Sequence, residues 1–238
     1  MTSDDRTATP PGAARRRARA AASPRATGAD SPWRPATERA RERALKREAV
    51  IRAAARAFRA RGFHNTSLED VAAALNVTKP TVYSYVRSKE QLLFECFVAG
   101  VDRIRAAFDE SARGQGTARD RLFAVVRGYA AAMTSEFGWC MVRAEELDLS
   151  PAMSGQIKTL KSEIDQGLRR LIREGVADGS IRPCDPKMTA FALAGSLNWI
   201  AHWHRDSAGL SPAQIADRFL DVFGSGLEPR PAASGIAC

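Results

Sequence analysis

The 238-residue sequence predicts an all-α protein, with a small N-terminal three-helix helix-turn-helix domain followed by a larger α-helical domain, about nine helices in total. Three observations predict this class. Apolar residues recur at helical spacing through most of the chain. No alternating run rich in Val, Ile, Thr and aromatic residues indicates a strand. Finally, residues 62–94 contain two short helices separated by a tight turn, which is the pattern of a helix-turn-helix.

The limits of the two short helices are set by capping residues. Ser67 followed by Asp70 three residues later is close to a capping box, which begins the first helix. Asn76 tolerates the left-handed conformation that the tight turn requires. Thr78 can cap the second helix, and Pro80 lies in its first turn, where a missing N–H costs little.

The second short helix has an apolar and a polar side. Val82 and Val86 are expected to face inward, and Val77 is expected to fill the gap between the helices. The predicted core of the three-helix unit is Phe58, Phe63, Leu68, Val71, Leu75, Val77, Val82 and Tyr85 or Val86. The side chains left outside are a cation, hydroxyls and phenols, which suit base edges and phosphates. The alternative is a plain helical hairpin of a bundle, which would not need this exposed set.

The positive charge is concentrated at one end of the chain. The formal net charge is +9, and residues 1–36 carry 7 basic and 3 acidic side chains. Residues 37–99 carry 12 basic and 7 acidic side chains, whereas residues 100–238 carry 17 of each. A basic module joined to a neutral one indicates that only the first meets a polyanion.

The order of residues in this region resembles the tetracycline-repressor (TetR) family of bacterial regulators. The resemblance runs from Lys46 to Phe94 and rests on T-S-L-E-D-V-A, N-V-T-K-P-T-V-Y-S-Y-V and S-K-E-Q-L-L. The chain departs from the family pattern at Asn76, where Gly is usual, and at Val86, where Phe is common. Asn76 and Val86 can each take the structural role of the residue that is usual at that position in the family.

The resemblance implies a homodimeric repressor that places the second short helix in the major groove of an operator. Lys79 and Thr81 would contact base edges, and Tyr83, Tyr85, Thr66, Ser67 and Lys89 would mostly fix the phosphates. The predicted DNA-binding residues are Thr66, Ser67, Thr78, Lys79, Pro80, Thr81, Tyr83, Ser84, Tyr85 and Lys89. The alternative is a nucleoid-type protein that binds DNA without sequence preference or effector.

Four segments follow from these patterns. Residues 1–36 are predicted to be a disordered basic tail, residues 37–88 the DNA-binding domain, residues 89–226 a ligand-binding and dimerisation domain, and residues 227–238 a flexible tail. The arginines of the basic tail form either a mobile arm on DNA phosphates or a solvated surface. The same two possibilities hold for Arg39, Arg41, Arg43, Lys46 and Arg47 of the first helix, whose apolar stripe is expected to include Leu45.

The larger domain is divided by Gly, Ser and Pro residues into six further helices. They are predicted to lie at about 88–113, 118–137, 139–149, 153–178, 186–205 and 212–224, with Pro151 as an interruption before the fourth of them. The last two carry small residues, such as Ala194, Gly195 and Ser196, that permit close helix–helix approach. In the family this pair forms a homodimer, although packing within one chain is the alternative. A dimer would also read two half-sites about 34 Å apart.

The resemblance also implies a small hydrophobic effector in the larger domain. The segment G-S-x-N-W-I-A-x-W, within residues 175–226, is similar to a TetR subgroup whose effectors include acyl-coenzyme A thioesters. The predicted effector-binding residues are Phe123, Tyr129, Met133, Trp139, Met141, Leu171, Asn198, Trp199 and His202. For each of them, packing in the core is the alternative role.

Other functions lack a motif. The four cysteines have no paired spacing, and the rings of His202 and His204 point apart on a helix, so we expect no metal and no cofactor. Glu145, Glu146 and Asp148 do not face one another with a nucleophile nearby, so we expect no enzyme activity. No apolar run reaches 18 residues, and we expect a cytoplasmic, nucleoid-associated bacterial protein without membrane contact.

Overall fold

The computed structural model describes residues 36–144, 149–205 and 209–227, and every regular element in these ranges is a helix, as predicted. The helices are α1 (Ala36–Arg61), α2 (Leu68–Ala74), α3 (Lys79–Tyr83), α4 (Lys89–Arg113), α5 (Ala118–Thr134), α6 (Gly138–Arg143), α7 (Pro151–Ala177), α8 (Pro186–Trp203) and α9 (Pro212–Leu227). The predicted terminal tails, apart from residues 36 and 227, lie outside the described residues, as do Glu145, Glu146 and Asp148.

The chain divides into two units, Met1–Arg41 and Glu42–Cys238. The described part of the first unit is the exposed start of α1, residues 36–41. The second unit contains the remainder of α1 and all other helices. The contacts described below lie within this second unit.

Local capping explains most helix limits. Ser88 Oγ accepts the N–H of Gln91 at 3.0 Å at the start of α4, and Thr117 forms a capping box with Asp120 at the start of α5. Pro151 begins α7 instead of interrupting the chain before Met153, because Ser150 caps the helix and a first-turn proline loses no hydrogen bond. The predicted start of this helix was wrong by two positions.

The predicted end of α5 was also too late. The helix ends at Thr134 rather than Phe137, because Ser135 adopts an extended backbone conformation. The Ser135 hydroxyl donates to the carbonyl of Ala132 at 2.6 Å and accepts the N–H of Phe137 at 3.3 Å. These side-chain bonds replace the next helical turn.

Two apolar clusters hold the second unit together. The larger one is formed by residues of all helices from α4 to α9. The smaller one joins the three N-terminal helices to α4 and α6, and contains Phe58, Phe63, Leu68, Val71, Val82, Val86, Leu92, Leu93, Cys96, Phe137 and Cys140 among its buried residues. Leu75 and Tyr85 pack against it at its edge. Val77 and Leu45 are 39% and 59% exposed, so neither fills the core as expected.

None of the described helices is both long enough and apolar enough to cross a membrane. Within the same residues, no group of three or more His, Cys, Asp or Glu side chains is arranged to hold a metal ion.

Candidate nucleic-acid interface and effector cavity

The turn between α2 and α3 has the backbone geometry that the sequence predicts. Ser67 Oγ accepts the N–H of Asp70 at 3.1 Å, and the Asp70 carboxylate accepts the N–H of Ser67 at 2.8 Å. This N–H is the main reason why the pKa of Asp70 is lowered. Asn76 has φ 55°, and it is the one non-glycine residue with positive φ in the described part of the chain. The capping box and the left-handed turn therefore fix the angle between the two helices.

The polar side of α3 faces solvent. Val82 and Val86 are fully buried, whereas the residues predicted to face DNA are exposed at positions 78, 79, 80, 81, 83 and 84. Thr78 occupies the N-cap position, but its hydroxyl pairs with that of Thr81 at 2.9 Å instead of capping a backbone N–H. The exposed surface thus carries the cation, hydroxyls and phenol that direct contact with DNA requires.

Lys79 is engaged within the chain. Its ammonium forms an ion pair with Glu69 of α2 and lies 5.7 Å from the ring centroid of Tyr83. The hydrogen bond between Lys79 and Glu69 lowers the pKa of Glu69 and raises the pKa of Lys79. Contact of Lys79 with a base or a phosphate would therefore exchange one partner for another.

Arg43 of α1 secures the C-terminal end of α3. Its guanidinium donates to the carbonyl of Ser84 at 3.1 Å and lies 5.7 Å from the ring of Tyr85. Tyr85 is consequently half-buried, and Ser84 Oγ donates to the carbonyl of Thr81 at 2.7 Å. Arg43, which the sequence placed among possible phosphate contacts, thus has a structural role in this conformation.

Two of the predicted phosphate contacts are occupied by the protein itself. Thr66 is 2% exposed, and its hydroxyl donates to the carbonyl of Gly62 at 2.8 Å, with the carbonyl of Ala57 at 3.3 Å. This burial disagrees with a solvent-facing phosphate contact. The Lys89 ammonium donates to the carbonyls of Phe63 and His64 at 3.0 and 3.4 Å. Lys89 therefore ties the start of α4 to the beginning of the α1–α2 connection.

A surface depression of about 610 Å³ lies beside α2 and the start of α4. Its lining contains the predicted Thr66, Ser67, Tyr83 and Lys89, together with residues that were not predicted to contact DNA, among them His64, Asn65 and Arg87. Arg87 was visible in the sequence as a cation between α3 and Ser88. The capping residues Ser67 and Ser88 of α2 and α4 both lie in this lining.

The predicted effector residues do not form one cavity. Tyr129, Met133, Met141 and Leu171 are buried in the core, where the Tyr129 hydroxyl donates to Asn198 Oδ1 at 3.0 Å. Burial raises the pKa of Tyr129 well above its usual range.

Two of the other aromatic predictions, Phe123 and Trp199, lie away from the core interior. Phe123 packs partly buried beside Arg119, whose guanidinium is 5.0 Å from its ring. Trp199 is 63% exposed, so its side chain does not lie among the helices where the pocket was expected. Its helical position directs it outward, where its ring lies 4.6 Å from that of His202.

A cavity of about 970 Å³ lies where α1, α6 and the end of α8 meet. Of the predicted effector residues, only Trp139 and His202 are in its lining. The full lining is Arg56, Arg59, Ala60, Thr134, Ser135, Glu136, Trp139, Val142, Arg143, Ala201, His202 and Arg205. Its arginines come from three distant parts of the sequence, so no local motif could have revealed it.

The fold and the exposed α3 define a helix-turn-helix protein with an additional helical domain. Residues 50–96 match the model described as "Bacterial regulatory proteins, tetR family", and residues 115–227 match "Tetracyclin repressor-like, C-terminal domain". Together these matches span more than half of the chain. The protein belongs to the TetR family of transcriptional regulators.

Relatives support this assignment over most of the chain. The transcriptional repressor KstR2 of Rhodococcus jostii is 24% identical over 187 residues, which cover 76% of this chain and 91% of that protein. The "Fatty acid metabolism regulator protein" of Bacillus subtilis is 20% identical over 184 residues, which cover 75% of this chain and 93% of that protein.

Solved structures of family members share the fold. The regulator PfmR of Thermus thermophilus is 25% identical with a TM-score of 0.68, covering 75% of this chain and 98% of PfmR. A structure of AibR with isovaleryl coenzyme A and operator DNA is 28% identical with a TM-score of 0.65, covering 78% of this chain and all of AibR.

Proposed function

We propose that this regulator is a repressor whose α3 enters the major groove of an operator. The observation that carries the proposal is the orientation of α3. Its apolar side, with Val82 and the following Val86, is buried and its polar residues face solvent, with the capping box and the Asn76 turn fixing its direction. Lys79 and Thr81 contact base edges, and Tyr83 fixes a neighbouring phosphate. Lys89 exchanges its two carbonyl partners for a second phosphate.

The test is a fluorescence anisotropy titration with an operator selected by the protein from a random DNA library. The double variant Lys79→Ala, Tyr83→Ala should lose specific operator binding and keep the oligomeric state of the wild type. The control Lys158→Ala, at an exposed position of α7, should bind the operator like the wild type. Unchanged binding by the double variant would refute the placement of α3. Equal affinity of the wild type for random DNA would favour the nucleoid-type alternative.

We further propose that the operator is read by a homodimer formed through α8 and α9. The support is an exposed apolar stripe on α8, made of Met188, Phe191 and Trp199, with Gly195 between them. Val222 of α9 is also exposed, at 72%. Large apolar side chains in one stripe indicate a surface that another chain covers.

Two glycines provide a matched test of the dimer surface. A side chain added at Gly195 or at Gly155 would meet no atom within 4 Å, so an arginine at either position leaves the isolated chain undisturbed. Gly195→Arg should give a monomer in light scattering, whereas Gly155→Arg on α7 should remain a dimer. If Gly195→Arg remained a dimer, the proposed interface would be refuted, and the dimer would have to form through another surface.

The effector is proposed to be a small hydrophobic molecule of the acyl-coenzyme A class. The support is the presence of isovaleryl coenzyme A in the AibR structure and the name of the Bacillus subtilis relative. By linkage, effector and DNA oppose each other by the same coupling free energy, typically about 1–3 kcal/mol. Release of the labelled operator by an acyl-coenzyme A series, and not by the free acids, is the expected result. No release by any thioester would overturn the proposed class.

A further inference from the structure

The cavity between α1, α6 and α8 has an unusual charge for a site that takes an apolar effector. Its described lining contains four arginines, at positions 56, 59, 143 and 205, and one carboxylate, Glu136. Glu136 is already engaged by two arginines outside the lining, Arg52 at 3.1 Å and Arg103 at 3.5 Å. Among the described residues, the acid of this lining is thus directed to arginines outside it, and the two lining arginines considered for a ligand are Arg56 and Arg205.

Two of these guanidinium groups have donors to offer. Arg205 donates from Nη1 to the carbonyls of His202 and His204, at 3.2 and 3.0 Å, which leaves the rest of its planar group for a ligand. Arg56 is exposed, and no acidic side chain among the described residues pairs with it. Arg59 donates to the carbonyl of His204 at 3.0 Å, which holds the α1 wall against the end of α8. Guanidinium groups are suited to phosphate because they bind it through two parallel N–H donors.

The cavity also has an apolar side. Trp139 and Val142 of α6 and Ala201 of α8 lie in the same lining as the arginines. A volume of about 970 Å³ is at the upper end of that usual for small-molecule sites. Such a cavity suits a ligand with phosphate groups at one end and an apolar or flat group at the other.

We propose that this cavity binds the phosphate-bearing part of the effector, with Arg56 and Arg205 as the phosphate ligands. This proposal rests on the proposed function and adds a location and a chemical class to it. Arg56 and Arg59 belong to α1, whose apolar side shares a cluster with Val82 of α3. A ligand in this cavity therefore contacts α1, which packs in the same apolar cluster as α3, without a relay through the core of the larger domain.

The test measures ligand binding by calorimetry on the full chain without DNA, using three probes: isovaleryl coenzyme A, coenzyme A and the phosphate-free S-isovaleryl pantetheine. Both coenzyme A probes should bind at least tenfold more tightly than the pantetheine thioester, and their affinity should fall as salt increases. Equal affinity of all three probes, or affinity that is independent of salt, would overturn the phosphate site.

Variants at Arg56 locate the site. Arg56→Ala should weaken binding of coenzyme A about tenfold, which is the usual effect of losing one hydrogen bond to a charged group. Arg56→Lys, which keeps the charge and loses the planar group, should lie between Ala and wild type. Arg113→Ala at the exposed end of α4 should match the wild type. The titration contains no DNA, so it tests this site separately from the proposed repressor function. Coenzyme A binding without release of the operator would count against the repressor function alone. Wild-type affinity of Arg56→Ala for coenzyme A would count against this site alone.

Discussion

The left-handed turn residue Asn76 allows a direct test of how α3 is oriented. A left-handed backbone costs an ordinary L-residue about 1–2 kcal/mol, and asparagine tolerates it best among non-glycine residues. Asn76→Val places a β-branched side chain at φ 55° and should lose about 1–2 kcal/mol relative to Asn. For a chain of this size, that loss lowers the melting temperature by about 2–8 °C. Asn76→Gly removes the strain but adds unfolded-state entropy of similar size, so its melting temperature should stay close to wild type.

The backbone bonds across the turn connect this strain to DNA binding. The N–H groups of Asn76 and Val77 donate to the carbonyls of Ala73 and Ala72, both at 3.0 Å, and a shift in φ breaks this arrangement. Asn76→Val should therefore bind the operator more weakly than Asn76→Gly in an anisotropy titration at a temperature where both are folded. Ala73→Val, on the exposed side of α2, is the control for adding a β-branched residue at helical φ. If Asn76→Val melts and binds like Ala73→Val, the reasoning about the turn is refuted.

Three further outcomes are expected. Glu69→Gln removes the partner of Lys79, so no ion pair has to be broken when Lys79 contacts a base edge, and operator affinity should rise. Unchanged operator affinity of this variant in an anisotropy titration would show that Lys79 does not contact the operator. Thr66→Val removes a buried hydroxyl bonded to the Gly62 carbonyl and should cost about 1–2 kcal/mol in urea denaturation, whereas a loss of DNA affinity without loss of stability would restore its predicted phosphate role. The pKa of Asp70 is lowered in the folded protein, so the stability that its carboxylate contributes is present above the unfolded pKa and is lost as pH falls through the folded pKa. Asp70→Asn removes this contribution. The melting temperature of the variant should therefore fall less steeply with pH than that of the wild type below about pH 4.

The fold was predictable because the residues that begin and end its helices act on backbone groups close to them in the sequence. Ser67 with Asp70, Asn76 and Ser88 each act on backbone groups within four residues, and the structure places each of them as the sequence indicated. The role of Pro151 was predicted wrongly because a proline taken by itself does not show whether it ends one segment or begins the next. The adjacent Ser150 cap decides between the two.

The candidate sites were less predictable because burial depends on which helices meet. Thr66 has the polarity of a phosphate ligand, but the end of α1 covers its hydroxyl. Trp199 shares a helix face with apolar residues, and yet the described chain leaves that face uncovered. The basic cavity joins Arg56 to Arg205, which are separated by most of the folded chain, so no spacing rule connects them.

The smaller apolar cluster has a consequence for how such a protein can acquire a new operator. Leu92 and Leu93 of α4 and Phe137 before α6 are buried together with Phe58 and Val82 of the DNA-binding helices. A fragment cut after residue 88 would lose the first three of these partners, at about 1.5–3 kcal/mol each, a sum comparable with the whole stability of a domain. Recombination at that junction would therefore yield a stable chimaera only if the new chain supplied equivalent apolar side chains at these three positions. New operator preference is expected to arise by substitutions on the exposed side of α3 rather than by exchange of the first three helices.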